Sequence, residues 1–113
     1  MADYTTYDHD LADLAAALGH PARVRLMRVL IARGPLPNSA LVDALPLAQS
    51  TVSNHLRLLR EAGLVHATRS GSQVFYAVAE PMVYRLNTLT GGLAASLPGR
   101  RPVAAPKASA PKV

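Results

Sequence analysis

The 113-residue chain carries a formal charge of +5; half of its residues are apolar, yet its only aromatic residues are four Tyr and one Phe. One domain with a modest core of Leu, Val and Ala is expected, which favours packed helices. The absence of cysteine excludes disulfides, thiolate metal sites and thiol redox switching. No apolar run approaches the length of a membrane span, and the N-terminus lacks a basic segment followed by an apolar stretch, so a soluble cytoplasmic protein is expected.

Charge is unevenly placed. Asp3, Asp8, Asp10 and Asp13 open the chain, and the remaining hundred residues hold all 12 Lys and Arg against Asp43, Glu61 and Glu80, a net +9. Such a basic body is the electrostatic footprint of a polyanion binder.

Residues 1–8 read as a flexible acidic leader. A helix is expected from about His9, with Leu11, Leu14, Ala15 and Leu18 on one face, ending at Gly19. Pro21 suits the first turn of a second helix, Ala22 to Ala32. There Val24, Met27, Leu30 and Ile31 are expected inward, and Arg25 and Arg28 outward. Gly34-Pro35-Leu36-Pro37 breaks that helix. Asn38 would cap a short helix, Ser39 to about Ala44, which buries Leu41 and Leu45 and is stopped by Pro46.

The stretch AQSTVSNHLRLLREAG, residues 48–63, divides into two faces at helical period. Val52, His55, Leu56 and Leu59 make the apolar one, and Ser50, Ser53, Asn54 and Arg57 make the other. A solvated face is usually Glu and Lys. This one holds short hydroxyls, an amide and an Arg, with no acid before Glu61. Short side chains let a helix backbone approach a surface closely, and they exchange hydrogen bonds with base edges and phosphates. Ala48 stands where a capping Ser or Thr is expected; water or a DNA phosphate would complete that helix end. A short helix, a tight turn and this longer helix make a helix-turn-helix, whose second helix enters the major groove.

Beyond Gly63 the period becomes two. Leu64 to Arg69 and Gln73 to Val78 read as strands joined by Ser70-Gly71-Ser72, a wing with Arg69 near its tip. From Pro81 a last helix carries Met82, Leu86, Leu89, Leu93 and Leu97 as a seam for a partner helix, interrupted at Gly91-Gly92. Residues 98–113, with Arg100, Arg101, Lys107 and Lys112, read as a disordered basic Pro/Ala tail. The domain is thus expected over residues 9–97, mainly α with a β-hairpin wing, in the order α-α-α-α-β-β-α.

This order, with ALGHPARVRLMRVL and STVSNHLRLLREAGLV, resembles the ArsR/SmtB family of bacterial transcriptional regulators from about Leu11 to Leu97. The motifs are Leu18-Gly19-His20-Pro21-Ala22-Arg23, Ser50-x-x-Ser53-x-His55-Leu56-x-x-Leu59 and Glu61-Ala62-Gly63-Leu64-Val65. The resemblance implies a winged helix-turn-helix homodimer, joined through its first and last helices, on an operator. It places the dimer interface at the seams of Leu11, Leu14, Leu18, Leu86, Leu89 and Leu93. The family's Cys pairs beside the helix-turn-helix, its Asp and His ligands on the last helix and its redox cysteines all lack counterparts here.

The expected DNA readers are Ser50, Ser53, Asn54 and Arg57, with Gln49 and Thr51 anchoring the helix start and Arg69 serving the wing. Two readings of Asp8-His9-Asp10 with Asp13 stay open. One is an acidic first turn that complements the helix dipole. The other is a site for a divalent ion, nickel or zinc, at His9, Asp10 and Asp13. His20 is expected at a helix boundary and His55 packed inside. An enzyme is not expected: there are no paired carboxylates on the body, no nucleophile with a base and no Gly-rich phosphate loop. A winged-helix module that binds protein is the other class, but it would not need a body of +9.

Overall fold

Thr5 opens the first helix. Its hydroxyl accepts the Asp8 N–H at 3.2 Å, and the Asp8 carboxylate accepts the Thr5 N–H at 2.9 Å. This reciprocal capping box starts α1 (Thr6–Ala17) ahead of the expected His9, so residues 6–8 are helix and not leader. The computed structural model describes residues 3–99, and the proposed basic tail beyond Gly99 lies outside the described residues. His20 then caps α2 (Pro21–Arg33), its ring Nδ1 accepting the Ala22 N–H at 3.0 Å.

The buried face of α2 differs from the expected one. Val24 and Ile31 are 40% and 60% exposed, while Leu26 is fully buried beside Met27, Val29 and Leu30. A helix turns about 100° per residue, so a stripe through residues 22, 26, 29 and 30 excludes positions 24 and 31. Arg28 is half-buried and not outward.

Leu36–Pro37 forms a short strand, β1, where only a break was expected. The chain runs straight from it into α3 (Asn38–Asp43), so Pro37 takes the N-cap position and Asn38 is the first helical residue, not the cap. After a turn comes α4 (Gln49–Glu61), whose cap Ala48 makes no side-chain hydrogen bond. At its C-terminus Gly63 takes φ +80°, and the Leu64 N–H returns to the Leu59 carbonyl at 3.0 Å. That closure needs a left-handed residue and sends the chain directly into β2 (Val65–Ser70). β3 (Gln73–Val78) returns antiparallel, and β1 adds to it through Leu36↔Tyr76, giving sheet order β1-β3-β2.

The last helix, α5 (Glu80–Ala95), continues through Gly91-Gly92 without the expected interruption. Gly92 has a packing role. A Cβ there would lie 2.9 Å from the Tyr7 hydroxyl, which donates to the Leu89 carbonyl. The close approach of α1 fixes this turn of α5.

The expected Leu seams are mostly spent within one chain. Leu14 and Leu89 are 3% and 5% exposed and belong to the core. Leu11, Leu18 and Leu86 pack half-buried against it. Leu14 and Leu89 thus lie in the core of the protomer, on the helices α1 and α5 that pack together. Leu93, 57% exposed, keeps a free side chain, as does Leu97. Among the described residues no helix is long and apolar enough to cross a membrane.

Candidate nucleic-acid interface

The two faces of α4 are as their spacing requires. Val52, Leu56 and Leu59 are fully buried and His55 is 7% exposed. Gln49, Ser50, Thr51, Ser53, Asn54 and Arg57 all face solvent. The buried side fastens the helix to α2 and α3, so the polar side is presented by a rigid element.

One hydrogen-bonded group ties α4 to its neighbours and another runs along its outer face. Inside, Arg23 reaches from α2, donating from Nε to the Ala17 carbonyl at 2.6 Å and from Nη1 to His55 Nδ1 at 3.0 Å. The rings of His20 and His55 lie 4.5 Å apart. Burial first, then the neighbouring His20 and Arg23, holds the His55 pKa below its ordinary value. Neutral His55 can accept from the guanidinium, so one side chain, Arg23, ties α1, α2 and α4 together. Outside, Arg57 donates from Nη1 to Glu61 at 2.8 Å and from Nη2 to Asn54 Oδ1 at 2.7 Å. Two of the expected readers are thus joined before any DNA is present.

Arg69 is exposed at the penultimate residue of β2, one step from the hairpin turn. Between wing and recognition helix lies a cleft of about 340 Å³ that the sequence reading missed. Asn38, Ser39, Ser53, Ser72 and Gln73 line it beside Pro37, Val74 and Tyr76, and Asn38 Oδ1 is buried without a hydrogen-bond partner. The signal was the same one used for α4: short hydroxyls and amides without acids, at the start of α3 and at the wing tip.

The acidic segment does not assemble a metal centre. Among the described residues no three His, Asp or Glu side chains are grouped to hold one ion. Asp8 closes the capping box, Asp10 pairs with Arg85 at 2.5 Å, and the His9 ring meets Tyr4 edge-on at 5.9 Å. The helix is the reason: successive residues point about 100° apart, so His9 and Asp10 diverge. His9, Asp10 and Asp13 are thus not grouped around one position among the described residues, and Asp8 lies in the first turn of α1, where it complements the helix dipole.

A helix-turn-helix domain family matches residues 18–67, which span α2, α3 and α4. A helix-turn-helix transcriptional regulator of Methanocaldococcus jannaschii is 30% identical over 82 residues, covering 73% of this chain and 92% of that protein. The transcriptional regulator CmtR of Mycobacterium tuberculosis is 44% identical over 75 residues, 66% of this chain and 63% of CmtR. The chain belongs to the ArsR family of transcriptional regulators. Its fold matches a solved ArsR-family regulator, with a TM-score of 0.72 at 21% identity over 89% of this chain and all of that one. This ArsR-family chain is a DNA-binding transcriptional regulator and not an enzyme. The matched domain contains every expected α4 reader; the wing residue Arg69 and all of α5 lie beyond it.

Proposed function

We propose that the regulator works in the cytoplasm as a homodimer on a pseudo-palindromic operator, setting one α4 into the major groove of each half-site. One observation carries this reading: a polar face without acids on its outward side, Ser50, Ser53, Asn54 and Arg57, backed by a fully buried stripe. Gln49 and Thr51 lie at the open N-terminus of α4, where unpaired backbone N–H groups suit a phosphate. Arg69 reaches a backbone or minor groove beside the wing. The cleft residues Ser39, Ser72 and Gln73 add phosphate contacts between them.

The body proposed for DNA binding and dimerisation runs from the Thr5 cap to Leu97, and residues 98–113 extend it as a basic tail. Leu93 and Leu97, left exposed on or beyond α5, supply the apolar surface for a second copy. No ligand set for a divalent ion is grouped at His9, Asp10 and Asp13 among the described residues: Asp10 pairs with Arg85 and the His9 ring meets Tyr4. Selecting bound DNA from a random pool, with and without nickel, zinc and cobalt, tests the reading. An inverted repeat whose recovery ignores the metals is expected. Recovery of unrelated sequences would refute specific readout, and a salt titration on random DNA would separate a DNA binder from a protein-binding module.

A further inference from the structure

A cavity of about 530 Å³ opens between α1, the C-terminal end of α4 and the start of α5. Its size falls in the range of about 300–1,000 Å³ typical of small-molecule sites. Apolar side chains form one part of its lining: Leu14, Ala16 and Ala17 from α1, Leu58 and Ala62 at the end of α4, and Met82 from α5. Three of these are alanines, and the space exists because their side chains stop at Cβ.

The charged lining decides what could enter. Asp10, Asp13 and Glu61 face it, with Arg23 and Arg85. Arg85 is neutralised by Asp10. Arg23 is fixed by bonds to the Ala17 carbonyl and His55 that use two of its five N–H groups. Asp13 has no ion-pair or hydrogen-bond partner among the described residues, and Glu61 uses only Oε2, on Arg57. An entering anion would face two carboxylates with acceptor capacity to spare. An entering cation would find both.

We propose that this cavity takes a small organic cation, an ammonium or amidinium on an apolar body, and passes its occupancy to the reading face through Glu61. Glu61 is the link because it lines the cavity and also holds Arg57, which in turn holds Asn54. A cation that draws Glu61 inward releases Arg57 towards DNA. Cavity binding is independent of the operator reading, whereas its consequence for DNA rests on that reading.

The test uses the full-length chain with 4-phenylbutylamine, 4-phenylbutanol and 4-phenylbutyrate, which share one apolar body and differ in charge. Methyl NMR without DNA comes first. The amine is expected to shift the Met82, Ala16 and Ala62 signals saturably, with the alcohol weaker and the carboxylate weakest. Asp13→Asn should weaken the amine by about threefold to fivefold and leave the alcohol unchanged. Ala16→Leu, at an exposed helical position, should fill the space and remove binding of all three. Equal binding of the three probes, or no binding of the amine, would overturn the site whatever the DNA results. On random duplex DNA the amine should steepen the salt slope of wild-type binding by about 0.9, the value for one added phosphate contact. Glu61→Gln should show the steeper slope without amine and ignore it when added. Amine bound in the cavity with no change in slope would overturn the link through Glu61.

Discussion

Asn54→Asp tests whether the reading face presents donors. Arg57 Nη2 donates to Asn54 Oδ1 at 2.7 Å. A guanidinium has donors only, so this contact fixes the amide: oxygen towards Arg57, NH2 towards DNA. Paired recognition of adenine needs both ends of an Asn amide, whereas guanine N7 and O6 or thymine O4 need donors alone. Arg57 is a donor too, so guanine or thymine edges are expected opposite this pair. Aspartate at position 54 still accepts from Arg57 but has no donor to offer. Specific affinity should fall by about 1–3 kcal/mol, the worth of one good base contact. The new carboxylate also repels phosphates and weakens binding to every sequence. The assay is therefore the ratio of operator to random-sequence affinity, measured at one salt concentration, with Asn54→Ala as a second donor-free variant. An unchanged ratio in both variants would refute base reading by Asn54. Selection of adenine opposite it would refute the donor polarity.

Leu89→Ala should cost about 2–5 kcal/mol in urea unfolding because Leu89 is 5% exposed; Leu93→Asp should leave protomer stability within about 0.5 kcal/mol and lower association in sedimentation. His55 has a folded pKa below its ordinary 6.5, so the unfolded chain protonates first as pH falls. Its contribution to stability is full above pH 6.5 and is lost as the pH drops from there towards the lower folded value; His55→Gln, compared with wild type in denaturant titrations, should flatten that part of the curve. Gly91→Ala, which meets open space, should stabilise α5 by up to about 1 kcal/mol, while Gly92→Ala, whose Cβ would lie 2.9 Å from the Tyr7 hydroxyl, should not. Equal melting shifts for the two glycines would show that Tyr7 does not hold this turn.

Periodicity located what depends on local pattern. The α4 stripe, the wing strands and the His20 boundary could all be read because each is set by residues a few positions apart. The start of α1 is legible in principle, since Thr5 and Asp8 have capping-box spacing. β1 was not legible. A strand of two residues has no period of its own, and it exists because Leu36 meets Tyr76, forty residues later. The Leu seams are a different case. A repeat of Leu specifies an apolar stripe without saying which helix covers it, and here α1 and α5 of one chain cover most of each other.

The reading site divides in the same way. Asn54, Arg57 and Glu61 follow one another at spacings of three and four, so their contact lies along one helix face and could be anticipated from spacing. The Arg23–His55 bond joins residues 32 apart and depends on how α2 crosses α4. Yet that buried contact determines how the outer face is aimed. His55 is the residue immediately after Asn54, about 100° around the helix and on its buried face, so a rotation of α4 that breaks the inner bond also turns the readers. The outer residues supply hydrogen-bonding groups for DNA, and the inner Arg23–His55 contact sets the angle at which they meet it.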